Sequence, residues 1–324
     1  MVNLIDERRA LLASWLDKDT PFSGNSLTVA SADASFRRYF RIRADGQNFV
    51  VMDAPPELED SGPFVNIAEW MKSKDIHVPE IFAKDLNKGF MVLSDFGDFH
   101  FQDALENQDR DYLYDLAMEE IGNMQCNLLD AQNKLPEFDQ FWQTKELEIF
   151  REWCLPDTSK SDYQRITESL THSIDQIPKA FMHRDFHCRN LLLCNDRKLG
   201  VIDFQGAMYG PVSYDLVSLL RDCYVDNNME WITRKVLQFQ KSLEETGLPY
   251  AQVEPDEFTR WFDFSGLQRH LKCVGIFHRL KIRDQKPDYM KDVPRVLKYI
   301  HQVLDRHPEL EELKNMVHQA TILK

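Results

Sequence analysis

The sequence has 324 residues, 43% of them hydrophobic and 28% charged, with a formal net charge of -14 at pH 7. A chain of this size and apolar content can bury a sizeable core, as one two-lobed enzyme or one to two domains. The acid excess argues against a general nucleic-acid surface, which needs clustered Lys and Arg, and no run approaches the length of apolar sequence that spans a membrane.

The first residues, MVNLIDERRALLASWL, predict an amphipathic helix with Leu4, Leu11, Leu12, Trp15 and Leu16 on one side. Asp6, Glu7, Arg8 and Arg9 interrupt the apolar run, so a signal peptide is not expected. Three strands follow, at 26–30, 39–43 and 48–53, with the turn signal Asp45-Gly46 between the last two. A helix over about 62–74 comes next, then a strand at 80–83 after Pro79 and another at 90–93 after Asn87-Lys88-Gly89. Beyond Asp95-Phe96-Gly97 the pattern turns helical, over roughly 110–130, 138–153, 161–176, 213–225, 228–246, 256–283 and 292–306. One non-helical island, 181–211, interrupts it with two short apolar runs, 191–193 and 199–202, split by Asn195-Asp196. The expected fold class is α+β, with a small N-terminal antiparallel sheet lobe over 1–97 and a hinge at about 94–97. A larger, mainly helical lobe over 98–324 carries a short hairpin. The six cysteines form no CxxC pair and read as reduced core thiols of a cytoplasmic protein.

The island reads FMHRDFHCRNLLLCNDRKLGVIDFQGA. His183-Arg184-Asp185 is followed, after four residues, by Asn190, the catalytic-loop pattern of kinases. Asp203 comes after an apolar strand, where the second metal-binding Asp of a kinase belongs. Taken singly, each motif reads as a hydrogen-bonded His or a solvated Asp. In this order, and on these elements, they point to phosphoryl transfer from ATP. Asp185 would accept the proton of the attacking hydroxyl, and Asn190 and Asp203 would supply the hard oxygen ligands that Mg²⁺ takes.

On these residues the chain resembles the aminoglycoside phosphotransferase and choline kinase superfamily over nearly its whole length. His183, Asp185, His187 and Asn190 occupy the positions of that family's loop. The resemblance implies a bilobal, protein-kinase-like fold. Gly210-Pro211 and Tyr214-Asp215-Leu216 follow Asp203 too closely for a protein kinase's activation segment, and no APE occurs, so the acceptor is a small molecule. His183 and Asp215 take structural roles, with Asp215 hydrogen-bonding the loop; a plain helix-start cap is the other reading of Asp215. More narrowly, the chain is similar to the anomeric kinases that phosphorylate N-acetylmuramate and N-acetylglucosamine at C1 in bacterial cell-wall recycling. The strings carrying this are Asp33-Ala34-Ser35-Phe36-Arg37-Arg38-Tyr39-Phe40-Arg41, Met52-Asp53-Ala54-Pro55-Pro56-Glu57, Leu219-Leu220-Arg221-Asp222, and Gly266-Leu267-Gln268-Arg269-His270-Leu271-Lys272 with Gly275-Ile276-Phe277. It implies action on a sugar with ATP; a monomer is expected, and from charge and hydropathy no nucleic-acid or membrane partner.

Two kinase features are missing together. The loop 31–38 has no glycine and the third strand has no Lys, while Phe64 and Val65 stand where its helix Glu would fall. Arg37, Arg38 and Arg41 are candidates to grip phosphate instead, Arg38 first because it lies nearest the turn. Adenine would meet the backbone around Leu93, Ser94 and Phe96. The acceptor site would draw on His187, Arg221, Asp222, Gln268, Arg269 and Lys272, with His270 and His278 nearby and Phe138, Trp142, Trp153 or Trp261 as stacking faces. A solvated helix face, or core packing for the aromatics, is the plain reading of each. Two alternatives stay open: a kinase for an amino alcohol or aminoglycoside, and a nucleotide-binding regulatory pseudokinase.

Overall fold

The computed structural model describes residues 2–32, 36–194 and 198–320. The chain groups into two compact units, Met1–His100 with Leu191–Gln205, and Phe101–Asn190 with Gly206–Lys324. The architecture is α+β, an antiparallel sheet followed by a mostly helical remainder. Among the described residues, no helix is long and apolar enough to cross a membrane.

The first unit opens with α1 (Val2–Asp19), then β1 (Thr28–Ala32), β2 (Arg38–Ala44), β3 (Gln47–Asp53), α2 (Gly62–Lys72), β4 (Ile81–Asp85) and β5 (Phe90–Ser94). The strands form one sheet in the order β1-β2-β3-β5-β4, every pairing antiparallel. Asp45 and Gly46 close the β2–β3 hairpin with φ of 49° and 81°. A two-residue hairpin of this kind demands positive φ, which Asp tolerates and Gly takes freely. Asp33, Ala34 and Ser35 of the loop lie outside the described residues.

Strand alternation sorts the three arginine candidates. Phe40, Ile42 and Val51 pack with Leu12, Trp15 and Leu16 of α1, so this face of the sheet is the helix-covered one. Leu11, expected on that side, is exposed, because it lies about a quarter-turn off the stripe that Leu12, Trp15 and Leu16 define. Arg38 shares the face of Phe40, and its Nε donates to Asp53 at 3.0 Å, beside Arg8, which grips the other oxygen of the same buried carboxylate. Arg38, favoured as the phosphate clamp, thus lies on the α1 side of the sheet and ties strand to helix. Arg38→Ala is expected to lower stability by about 1–3 kcal/mol, by stripping donors from a buried carboxylate, with little change in the KM for ATP. Denaturant unfolding and steady-state kinetics check both halves, and a raised KM at unchanged stability would restore the clamp. Arg41 points to the opposite face and pairs with Asp95 and Asp98. Arg37 is buried, paired with Glu59 and seated over the Phe64 ring at 5.5 Å.

The second unit begins with α3 (Phe101–Ala104), α4 (Arg110–Asn127), α5 (Ala131–Lys134), α6 (Gln140–Cys154), α7 (Lys160–Asp175) and β6 (Lys179–Met182). Asp109, Asp139 and Ser159 cap α4, α6 and α7 by accepting the first free N–H groups. After the loop 183–190 the chain returns to the first unit for the hairpin of β7 (Leu191–Leu193) and β8 (Leu199–Val201). Backbone bonds from Leu193 to Phe99 and from Val201 to His77 hold it there. A Cβ on Gly200 would stand 2.5 Å from the Phe96 ring, so only glycine fits that approach. The hairpin thus groups with the sheet and not with the helices that flank it in sequence.

β9 (Met208–Pro211) pairs antiparallel with β6, and α8 (Tyr214–Leu220), α9 (Met229–Glu244), α10 (Pro255–Ile282), α11 (Val293–Arg306) and α12 (Glu311–Gln319) complete the chain. The helix expected over 213–225 stops at Leu220, because the carboxylate of Asp222 turns away to bind the N–H groups of Cys188 and Tyr224. α10 crosses α6 so closely that a Cβ on Gly275 would lie 2.7 Å from the backbone of Ile149 and Phe150. That close approach sets Glu146 of α6 against Gln268 and Lys272 of α10.

Candidate active site

The loop 183–190 is held by carboxylates from outside it. Asp215, in the first turn of α8, accepts the N–H groups of His183 at 2.6 Å and Arg184 at 2.9 Å. Arg184 has φ of 77°, a left-handed conformation that a non-glycine side chain adopts at a cost. The two bonds to Asp215 stabilise it there. The Asp185 carbonyl receives the N–H of His187 and the side-chain NH₂ of Asn190, both at 3.0 Å, and Asp222 takes the N–H of Cys188 at 2.9 Å. The His183 ring is fully buried, edge-on to Phe186.

Burial pushes the Asp215 carboxyl up to about 7, against the pull of its two N–H bonds. Asp215→Asn would turn an amide NH₂ toward one of those donors. The variant is expected to lose about 1–3 kcal/mol of stability for a buried donor left unpaired, measurable as a lower denaturation midpoint, and to turn over more slowly as the loop loosens. Unchanged stability would reduce Asp215 to a helix-start residue.

Asp185 itself is half-buried. Burial opposes its charge, but the cations of Lys272, His187, Arg269 and Arg184 outweigh it and hold the carboxyl down to about 2. Two of those cations, Lys272 and Arg184, are held by Glu146, which the sequence did not single out. Its buried carboxylate receives Arg184 Nε at 3.0 Å, Gln268 Nε2 at 2.9 Å and Lys272 Nζ at 3.4 Å. Lys272 also donates to the Tyr214 hydroxyl at 3.1 Å. Burial works against the charge of Glu146 too, and the neighbouring Lys272 and Arg184 keep it below the usual carboxylate range. The paired partners likewise hold Lys272 above its ordinary value despite burial.

Other expected acceptor residues are drawn into the interior. The guanidinium of Arg221 lies over Phe262 and bonds Asp263 at 2.8 Å, in an ion cluster that Arg306 and His307 complete. Asp222 braces the loop, and Arg269 is buried with Nη1 3.5 Å from Cys223 Sγ. His270, which burial pushes down to about 3, bonds the Arg221 carbonyl, and His278 bonds the Val274 carbonyl of its own helix. Gln268 is fully buried against Glu146. His187 lies edge-on to Tyr224. Phe138 is core, while Trp142 is half-buried at the edge of that cluster.

In the first unit, Asp203 follows β8 with φ of 66°, and Gln205 Nε2 donates to its Oδ1 at 2.6 Å. Leu93 is buried in the β5 ladder. The Ser94 N–H goes to the Glu80 carbonyl and its hydroxyl accepts the Glu80 N–H, each at 2.9 Å. The Phe96 ring stands 4.6 Å from the His77 ring. Asn190 and Asp203 carry hard oxygen donors of the kind Mg²⁺ takes, and with the Asn190 NH₂ spent on the Asp185 carbonyl, its oxygen is the atom suited to a metal.

A family model described as phosphotransferase enzyme family matches residues 26–251. The chain belongs to that family. Two relatives of this phosphotransferase, from Pseudomonas putida and Neisseria meningitidis, are named N-acetylmuramate/N-acetylglucosamine kinase. The first is 38% identical over 96% of each chain, and the second 37% identical over 95% of this chain and 94% of its own. Among solved structures, a choline/ethanolamine kinase family protein from Mesorhizobium loti shares the fold, with a TM-score of 0.63 at 13% identity, covering 96% of this chain and 99% of the other.

Proposed function

We propose that this phosphotransferase moves the γ-phosphoryl group of ATP to the C1 hydroxyl of N-acetylmuramate and N-acetylglucosamine, as a cytoplasmic monomer serving cell-wall recycling. The observation that carries this reading is the near-full-length agreement with relatives of that name. In this reading the first unit takes the nucleotide, with Arg41 and Arg37 near the phosphates and the backbone about Phe96 at adenine. The second unit takes the sugar against Asp185 and His187, with the buried charges of Arg269 and Lys272 behind them.

Asp185 orients the sugar hydroxyl and accepts its proton. A carboxylate held near 2 is a weak base, which suits phosphoryl transfer, where bond breaking to the leaving group runs ahead of nucleophile activation. An anomeric hydroxyl is also more acidic than an ordinary alcohol. Asn190 and Asp203 would hold Mg²⁺, which neutralises phosphate charge when bound. Coupled ADP release over a panel of amino sugars, amino alcohols and aminoglycosides tests the reading. Turnover confined to the two N-acetyl sugars is the expected result. Turnover confined to another class, or none with any acceptor, overturns it.

A further inference from the structure

A side chain that reads a ligand's carboxylate needs a charge not already neutralised and an N–H open to solvent. The buried cations fail for want of an N–H open to solvent: Arg221 bonds Asp263, Arg269 lies against Cys223, and Lys272 bonds Glu146 and Tyr214. Beside the Trp142 ring, Lys145 meets both conditions, and Arg184, though paired with Glu146, keeps a partly exposed side chain. Lys145 on α6 is exposed, has no carboxylate partner among the described residues, and holds its ammonium 4.4 Å from the centroid of the Trp142 ring. Arg184 precedes Asp185 in the chain and its side chain is 25% exposed. Its Nε and Nη2 are fixed by Glu146, its Nη1 bonds nothing among the described residues, and its guanidinium stands 5.9 Å from the same ring. Trp142 is thus a half-buried aromatic face, backed by Phe138, Met182, Met208 and Tyr214, with one unpaired ammonium and one partly exposed guanidinium beside it.

We propose that Trp142, Lys145 and Arg184 form the subsite for an anionic arm on the acceptor sugar. The Lys145 ammonium and Arg184 Nη1 read the carboxylate, and the ring packs on the sugar's apolar C–H face. This deepens the function proposed above and rests on it. N-acetylmuramate carries a lactyl carboxylate that N-acetylglucosamine lacks, so one site takes both sugars and only the charged arm tells them apart. Arg184 is fixed by Glu146 in a forked geometry, whereas Lys145 is a flexible charge that closes on the arm.

The test is the ratio of kcat/KM for N-acetylmuramate to that for N-acetylglucosamine. Lys145→Met keeps an apolar stem over Trp142 and removes the charge, and Lys145→Glu reverses it. The ratio is expected to fall about tenfold in the first variant, the size of one charge-assisted hydrogen bond, and further in the second. Added KCl should lower the wild-type ratio, by screening an exposed charge, and lower that of Lys145→Met less, since only Arg184 then reads the arm. Active variants with the ratio unchanged within about twofold overturn the subsite alone, leaving Lys145 as a surface partner of Trp142. A wild-type enzyme that phosphorylates neither sugar overturns the function and the subsite together.

Discussion

Replacing Asp185 with Asn is expected to lower kcat by about two to four orders of magnitude, the range for losing general acid–base catalysis, with nucleotide affinity little changed. The loop keeps its shape in this variant, because Asp215 and Asp222 hold its N–H groups and Asn190 holds the Asp185 carbonyl, none through the Asp185 side chain. An amide at 185 still touches the hydroxyl but cannot take its proton, so binding and positioning supply the residual rate. The pH behaviour is specific as well. The folded-state value, depressed to about 2 by the surrounding cations, leaves Asp185 ionised throughout the neutral and mildly acid range. The stability its charge contributes is fully present above the unfolded carboxylate value of about 3.9 and is lost as pH falls through the folded one. An acid limb of the wild-type rate near neutrality must therefore come from another group. Steady-state kinetics with nucleotide titration decide the matter, and near-normal turnover in Asp185→Asn would take that residue out of the reaction.

Much of the fold was legible because its local signals agree. Period-two alternation, the Asp45-Gly46 turn and polar helix caps locate five strands and the long helices to within a few residues. The four-residue strands β6 and β9 escaped, since they lie far apart in sequence with no turn signal joining them, as Asn195-Asp196 joins the runs of β7 and β8. So did α12, whose buried side is only Leu313 and Val317. Motif spacing singled out Asp185, Asn190 and Asp203 on one short stretch of chain. Glu146 left no such mark: it is 38 positions before Arg184, within a run of ordinary helix charges, and reaches the loop only through the close crossing at Gly275. Arg38 and Arg221 show the converse. Their residue type suits phosphate or sugar, but burial and partner decide their role, and those depend on which elements pack over them.

Asp203→Ala is expected to bring the rate with Mg·ATP to background. If Asp203 supplies a carboxylate to the metal, its removal leaves the ion without the charged ligand that a small, strongly hydrated cation needs to remain fixed against phosphate. The substitution also acts on the backbone. At φ of 66° Asp is tolerated better than Ala, so the variant is expected to lose roughly 1 kcal/mol of stability for reasons unrelated to metal. Asp203→Asn separates the two effects. It suits the same backbone and keeps an amide oxygen toward the ion, so it should fold like the wild type, need more Mg²⁺ for half-maximal rate and turn over slowly at saturation. Thermal unfolding of both variants, with activity titrated against Mg²⁺, distinguishes the outcomes. A wild-type rate and Mg²⁺ requirement in Asp203→Asn, beside a merely unstable Asp203→Ala, would make this residue a backbone device and place the metal ligand elsewhere.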